Sequence, residues 1–183
     1  HGEEILRSQA GPEVERLQAD VDRLAEFARA FGAFGRLPAP RPTEQDLVPV
    51  VREFAERFAG AWPRLRLAVA APAHPVPAAV DVELLRQVLV NLCENTNAAL
   101  TEAGRDAGSG RLAVAEIDGQ TTLDVADDGP GLTAAARERL FQPYASFRRG
   151  GTGLGLAISR KILLDHGGEL ELLPATSGAT FRL

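Results

Sequence analysis

Apolar positions near the start of the chain keep a helical rhythm. Val14, Leu17, Val21, Leu24, Ala28 and Phe31 stand 3, 4, 3, 4 and 3 residues apart, a heptad seam flanked by charged residues such as Glu13, Arg16, Asp20 and Arg23. Pro12 is placed to open this helix. About two and a half heptads do not hold a helix by themselves in water, so the seam needs a partner. That partner is either the chain's own domain, covered by one amphipathic helix, or other helices in a coiled coil or bundle. Leu37-Pro38-Ala39-Pro40-Arg41-Pro42 then ends the pattern. Prolines at alternate positions make a stiff, extended linker, and a domain boundary is expected there.

Beyond the linker the period changes repeatedly. Asp46 introduces a second helix with Leu47, Val50, Val51, Phe54 and Phe58 on one face, stopped by the stretch from Gly60 to Pro63. Leu65, Leu67 and Val69 alternate as a strand, and a proline-rich turn follows from Pro72 to Pro77. Asp81 caps a third helix of about twenty residues carrying Leu84, Leu85, Val88, Leu89 and Leu92. A glycine-rich loop from Gly104 to Gly110 leads to two strands, Arg111 to Ile117 and Thr121 to Ala126, joined at the hairpin signal Asp118-Gly119. After a segment from Leu132 to Gly150 come a helix from Thr152, the turn His166-Gly167-Gly168, and strands at Glu169 to Leu173 and Ala179 to Leu183. Helices grouped with a mostly antiparallel sheet predict an α+β fold, a two-layer α/β sandwich preceded by the coiled-coil-like helix.

Composition narrows the class without fixing it. In 183 residues, 45% hydrophobic and 25% charged content is ordinary for a globular domain. The formal net charge of -5 argues against a nucleic-acid partner. A lone cysteine, Cys93, excludes an internal disulfide and fits a reducing compartment, so a cytoplasmic location is expected. No apolar run approaches the roughly 20 residues a membrane span needs. The sequence holds no methionine, and we expect it to be a piece of something larger, such as the cytoplasmic part of an inner-membrane sensor. Any membrane contact would then lie in parts outside this sequence.

The candidate chemistry centres on two glycine clusters, Asp127-Asp128-Gly129-Pro130-Gly131 and Gly151-Thr152-Gly153-Leu154-Gly155-Leu156. Glycines let a backbone approach a ligand closely, and a helix that starts behind such a turn offers free N–H groups to an anion. The pair therefore reads as a nucleotide pocket with the segment between as its lid. The usual nucleotide motifs are absent: there is no GxxxxGK[ST], and Gly151, Gly153 and Gly155 miss GxGxxG because residue 156 is leucine. Zinc-ligand spacing and a Gly-x-Ser-x-Gly elbow are absent too. On the third helix Asn91 and Asn95 lie four apart and so share a face. Asparagine is a poor helix-interior residue, which leaves solvated or mutually bonded amides, or an amide oxygen on Mg2+, as explanations. Asp127 closes a strand, where it could be ordinary turn chemistry or an acceptor for an exocyclic amine such as adenine's.

Taken together, Asn91-Leu92-Cys93-Glu94-Asn95, Asp127-Asp128-Gly129-Pro130-Gly131, Phe141-Gln142-Pro143-Tyr144, Gly151-Thr152-Gly153-Leu154-Gly155-Leu156 and Gly178-Ala179-Thr180-Phe181 stand in an order that resembles a known family. It is the catalytic and ATP-binding domain of bacterial sensor histidine kinases, within the superfamily of gyrase, Hsp90 and MutL, and the wording is similar to the nitrogen-regulation type. The resemblance implies the Bergerat ATP-binding fold over residues 44–183, a linker over 38–43 and part of a dimerisation helix over 1–37. It implies ATP and Mg2+ as ligands, with Asn95 on Mg2+ and Asp127 on the adenine amino group. Gly129 and Gly131 would shape the adenine side. Gly151, Thr152, Gly153, Leu154 and Gly155 would meet the phosphates, and Thr180 would support Asp127 through water. Arg148 falls where relatives place a lysine near the γ-phosphate, a task arginine can perform.

Asn91 separates hydrolysis from transfer. ATP-hydrolysing members have a glutamate at that position, and an amide cannot serve as a general base. The resemblance therefore implies transfer to a histidine, then to the receiver domain of a response regulator, in a protein that forms a homodimer through its N-terminal helix. No histidine here stands in the phosphoacceptor wording: His74 reads as a surface residue, His166 as a helix cap, and His1 is followed by Gly2 and Glu3. ATP·Mg2+ binding without phosphorylation in cis is expected. Thr96, Asn97, Ala145 and Phe147 depart from the family wording. Two alternatives stand beside the kinase: a degenerate nucleotide-binding scaffold, which Thr96 and Asn97 favour, and a stand-alone ATPase, which Asn91 disfavours.

Overall fold

Two aspartates start the two helices that carry much of the core. Asp46 accepts the N–H of Val48 and so caps α1, Leu47–Arg57. The same Oδ1 takes the N–H of Val76 at 3.0 Å, while Leu47 N–H reaches the Val76 carbonyl at 2.9 Å. These bonds seat a small antiparallel sheet of β1, Thr43–Asp46, and β3, Pro77–Val80. Sequence periodicity misses both strands, because four residues with flanking prolines are too few to show alternation. The structure, a computed structural model, describes residues 13–18, 21, 24, 25, 28, 32, 37–143, 145 and 152–183.

The main sheet runs β2-β4-β5-β7-β6. Its strands are β2, Leu65–Ala70; β4, Gly108–Ile117; β5, Gln120–Asp127; β6, Glu171–Leu173; and β7, Thr180–Arg182. Three of the four pairings are antiparallel as expected. The β2–β4 pair is parallel, because α2, Val82–Glu102, crosses over between them. The hairpin turn is where the sequence places it: Asp118 and Gly119 both have positive φ, 53° and 77°, as a type I′ turn demands. β4 begins at Gly108, so the expected loop from Gly104 to Gly110 is shorter than its glycines advertise. The closing strands are likewise shorter than the runs that predict them.

Alternation along β4 and β5 turns Leu112, Val114, Leu123 and Val125 into one core with Phe54, Leu89, Leu92, Leu100 and Ile162 of the helices. Ile162 belongs to α4, Gly155–Asp165. Burying each such side chain contributes about 1.5–3 kcal/mol. Trp62 stacks on Phe58 with centroids 5.7 Å apart and closes the core beyond the end of α1. On the far side of the sheet Arg182 grips Asp124 across β5 and β7 with two bonds of 2.7 Å. Cys93 is buried, which pushes its thiol up to about 12 and leaves it protonated.

Asp81 is a junction. Its Oδ1 accepts the N–H groups of Glu83 and Leu84 at the start of α2, and its Oδ2 accepts Arg41 N–H at 3.0 Å. Its own N–H donates to His166 Nε2 at 3.0 Å. That nitrogen must therefore be the acceptor, so Nδ1 carries the hydrogen and donates to the Ile162 carbonyl at 2.7 Å. His166 does cap a helix, as its position before Gly167 suggests, and it also ties the end of α4 to the start of α2. His74 is exposed.

These donors, Arg41 N–H foremost, hold the Asp81 carboxyl below its ordinary value of 3.8. A depressed carboxylate adds stability that is present above the ordinary value and lost as pH falls below 3.8 through the folded value. Asp81→Asn keeps a capping oxygen without the titration. Its urea midpoint should therefore fall less than the parent's on acidification from about pH 5 to about pH 3. Equal falls in the two proteins would show that Asp81 does not carry this acid sensitivity.

Candidate functional site

A cavity of about 670 Å³ opens between α2, the end of β5 and the start of α4. This is within the usual range for a small-molecule site. Asn91, Asn95, Asp127, Gly131, Thr152, Gly153 and Gly155 all line it, so residues from three separate sequence clusters meet in one place. Arg148 and Gly151 lie outside the described residues, as does Tyr144. Gly129 is not on the wall; its N–H donates to Asp127 Oδ1 at 2.8 Å. Leu154 is buried beneath the wall, 1% exposed, and its carbonyl accepts the Ile158 N–H.

Asp127 ends β5 and turns its carboxylate into a mesh of donors. Oδ1 accepts Gly129 N–H at 2.8 Å and Ala179 N–H at 3.2 Å. Oδ2 accepts the Thr96 hydroxyl at 3.1 Å. The chain at Ala179 also receives Asp127 N–H on its carbonyl at 2.9 Å, so the base of the pocket is a backbone clasp. Two glycines make the clasp possible. Gly131 has φ 74°, and a Cβ there would sit 2.9 Å from the Gly178 carbonyl oxygen. Gly178 has φ 66°, and its Cβ would fall 1.8 Å from the Asp127 carbonyl oxygen.

The neighbouring Asp128 has a different task. It accepts Ser109 N–H at 2.8 Å and pairs with Arg105 at 3.1 Å, which together hold its carboxyl below the usual range and pin the turn to β4. Arg105 also donates to the Asp128 carbonyl. Of the two acids, Asp127 faces the cavity and Asp128 is the ordinary turn residue.

Thr180 pairs with Ala126 inside the sheet, while its neighbours Ala179 and Phe181 line the cavity, as alternation in β7 requires. The hydroxyl that reaches Asp127 is that of Thr96, on α2. Thr96 is 8% exposed and lies one residue beyond Asn95. Its signal in the sequence is the same as that of the asparagines: a polar, weak helix former in the middle of a long helix. Asn97 is not turned to solvent; its Oδ1 accepts Arg64 N–H at 3.4 Å and anchors the approach to β2.

At the other end, Asn91 Nδ2 donates to the Gly155 carbonyl and to Ser159 Oγ, both at 3.3 Å, joining α2 to the first turn of α4. That helix starts at Gly155, later than the expected Thr152. Asp46, Asp81 and Thr133 cap α1, α2 and the short lid helix α3, Ala134–Glu138, with side-chain oxygens. The cap residue of α4 is Leu154, which supplies no such bond. Its first N–H groups, at the positive end of the helix dipole, thus have no side-chain cap. At Gly155 an added Cβ would meet Asn91 atoms only at 3.8 Å, so the protein itself does not demand glycine there.

Glu94, Glu102 and Asp127 are the charged groups on the wall, and no basic side chain lines it among the described residues. A polyphosphate would need a cation for company. No group of three His, Cys, Asp or Glu able to hold a metal occurs among the described residues. Mg2+ keeps several waters and takes oxygen ligands from one or two protein groups and substrate phosphates, so the Asn95 amide oxygen and the Glu94 carboxylate on this wall are a donor set that fits that ion.

Comparison with known proteins agrees with this geometry. Residues 80–183 match the family described as histidine kinase-, DNA gyrase B- and HSP90-like ATPase. The chain is 34% identical over 173 residues to nitrogen regulation protein NtrY of Azorhizobium caulinodans, covering 92% of this chain and 22% of that protein. It is 37% identical over 168 residues to the C4-dicarboxylate transport sensor protein DctB of Rhizobium meliloti, covering 91% and 26%. The chain thus spans about a quarter of the length of these relatives. Full-length ShkA in complex with AMPPNP superposes with a TM-score of 0.69 at 28% identity, covering 93% of this chain and 37% of that one. The catalytic domain of histidine kinase ThkA does so at 0.65 and 26%, covering 78% and 93%. A sheet packed against helices is common to all three. With more than half its length matched and its pocket built from the residues that drew attention in sequence, this chain belongs to the histidine kinase-, DNA gyrase B- and HSP90-like ATPase family.

Proposed function

We propose that this chain is the ATP-binding kinase module of a two-component sensor histidine kinase. The observation that carries the reading is the placement of Asp127, an acceptor, on the wall of the same cavity as the uncapped start of α4. One end takes the adenine amino group and the other the phosphates. Mg2+, held by Asn95 and phosphate oxygens, would neutralise charge on the transferring group. Gly129 and Gly131 shape the base side. Thr152, Gly153 and Gly155 form the phosphate side, and the family resemblance assigns Gly151 and Leu154 to that side too and Arg148 to the γ-phosphate.

In the reaction a histidine nitrogen attacks the γ-phosphorus, the bond to the β,γ-bridging oxygen breaks, and ADP leaves. A receiver-domain aspartate of a response regulator then takes the phosphoryl group from the imidazole. The protein's contribution is positioning and electrostatics. Asn91 directs both of its amide hydrogens to α4, and it has no basic site with which to activate water. Transfer is thereby favoured over hydrolysis.

Residues 1–37 are assigned to a dimerisation helix, 38–43 to the linker and 44–183 to the catalytic domain. Val14, Leu17, Val21 and Leu24 are 52–67% exposed, as a seam awaiting a second copy would be. Phe31 of the same seam lies outside the described residues. No helix among the described residues is long and apolar enough to cross a membrane. Thr96 and Asn97, the departures that favoured a degenerate scaffold, both have defined bonds, which weakens that alternative.

The test is to mix the chain with a separate protein carrying a phosphoacceptor helix and ATP labelled at the γ-phosphate. Acid-labile, base-stable label on that protein is the expected result. Nucleotide binding without transfer would support the scaffold, and steady phosphate release by the chain alone would support an ATPase.

A further inference from the structure

Each end of the small β1–β3 sheet is closed by an aspartate that also caps a helix. Asp46, the last residue of β1, caps α1 through Val48 N–H and accepts Val76 N–H, just ahead of β3, at 3.0 Å. Asp81, the residue after β3, caps α2 through the N–H groups of Glu83 and Leu84 and accepts Arg41 N–H, two residues ahead of β1, at 3.0 Å. Arg41 is the one donor on Asp81 Oδ2 among the described residues. The helices α2 and α4 both border the cavity, run antiparallel, and are joined by polar bonds at two levels. Asp81 N–H reaches His166 Nε2 where α2 starts and α4 has ended. Asn91 Nδ2 reaches the Gly155 carbonyl and Ser159 Oγ beside the cavity. At 1.5 Å per residue the two levels lie about 15 Å apart along α2 and about 16 Å apart along α4, so the bonds fit one common register.

We propose that Asp81 is a positioning residue through which seating of the incoming chain and nucleotide binding favour one another. The proposal rests on the reading of the cavity as an ATP·Mg2+ site. With Arg41 N–H in place the Asp81 carboxylate is held from both sides, and the start of α2 is fixed against the end of α4. Without it the carboxylate keeps only the cap, the level at His166 loosens, and Asn91 and Asn95 shift against the turn that precedes α4. A nucleotide that bridges α2 and the start of α4 fixes the same register from the other end. It thereby holds Asp81 ready for Arg41, because coupling between two sites is reciprocal.

The experiment reads both directions on the whole chain. Among residues 38–42 only Ala39 and Arg41 carry an amide hydrogen, since the other three are prolines. Hydrogen exchange at Arg41 should slow about fivefold when a non-hydrolysable ATP analogue with Mg2+ saturates the protein, the low end for coupled sites. Val76 N–H, held by the other aspartate, should not slow. Arg41→Pro deletes the donor at a position that Pro42 already confines to extended backbone, and it should weaken ATP·Mg2+ binding about fivefold. Arg41→Ala keeps the donor and should bind like the parent. Exchange at Arg41 that ignores the nucleotide, equal slowing at Val76, or equal affinities in the two variants overturns the coupling and leaves the site standing. A parent that binds no ATP overturns the reading of the site and the coupling with it. Should Arg41→Pro fail to fold, as a melting curve would tell, the exchange measurement on the parent decides alone.

Discussion

Asp127→Asn is expected to weaken ATP·Mg2+ binding about a hundredfold and to leave the fold in place. The amide oxygen can replace Oδ1 and keep the bonds from Gly129 and Ala179. The amide nitrogen then replaces Oδ2, and a donor stands where the incoming amine and Thr96 both need an acceptor. Losing a hydrogen bond to a charged group costs about 1.5–3 kcal/mol, and facing donors add to it. Each 1.4 kcal/mol is about a factor of ten, which gives the predicted scale. Calorimetry reads the affinity and a melting curve reads the fold. Parent-like affinity in the variant would remove the adenine role assigned to Asp127.

Gly178→Ala should be the most damaging added methyl group among the described glycines. Its Cβ would lie 1.8 Å from the Asp127 carbonyl oxygen, an overlap with backbone that no rotamer change relieves. The residue also has φ 66°, where an L side chain is strained by about 1–2 kcal/mol. Relief requires β5 and β7 to part, which undoes the clasp around Asp127. We expect a loss of about 4 kcal/mol or more, the scale at which a single substitution can unfold a domain. Gly119→Ala is the matched comparison: φ is 77° but nothing lies within 4 Å of the added atom, so only the backbone strain applies. If the two variants melt alike, steric closure at Gly178 is not what holds the clasp.

Much of this was legible because it is local. The N-caps Asp46 and Asp81, the turn at Asp118-Gly119 and the core face of α2 each follow from residues within one or two turns of one another. The spacing of the glycine and asparagine clusters was legible as a pattern, and the fold brings them to one cavity. What escaped was non-local. β1 and β3 exist because they pair with each other across thirty-odd residues, and neither has enough length to declare itself. The resemblance points to Thr180 as a support of Asp127 through water, while the hydroxyl bonded directly to Asp127 is that of Thr96 on α2, and alternation in β7 turns Ala179 and Phe181 to the cavity. The short helix after Thr133 was hidden in a segment read only as a lid.

The junction at Asp81 also bears on where one would cut the chain. Composition marks the boundary by its prolines, yet Arg41 N–H, within that proline stretch, bonds to the carboxylate that starts α2. The same residue is bonded to His166, at the end of α4. The start of one pocket-lining helix, the end of the other and the incoming chain are therefore moored to a single residue, the first and last by its carboxylate and the other by its N–H. A fragment meant to isolate the nucleotide domain should begin upstream of Arg41, since trimming to the first strand at Thr43 would untie one of those three lines. Modularity here is a property of the sequence's punctuation more than of its mechanics.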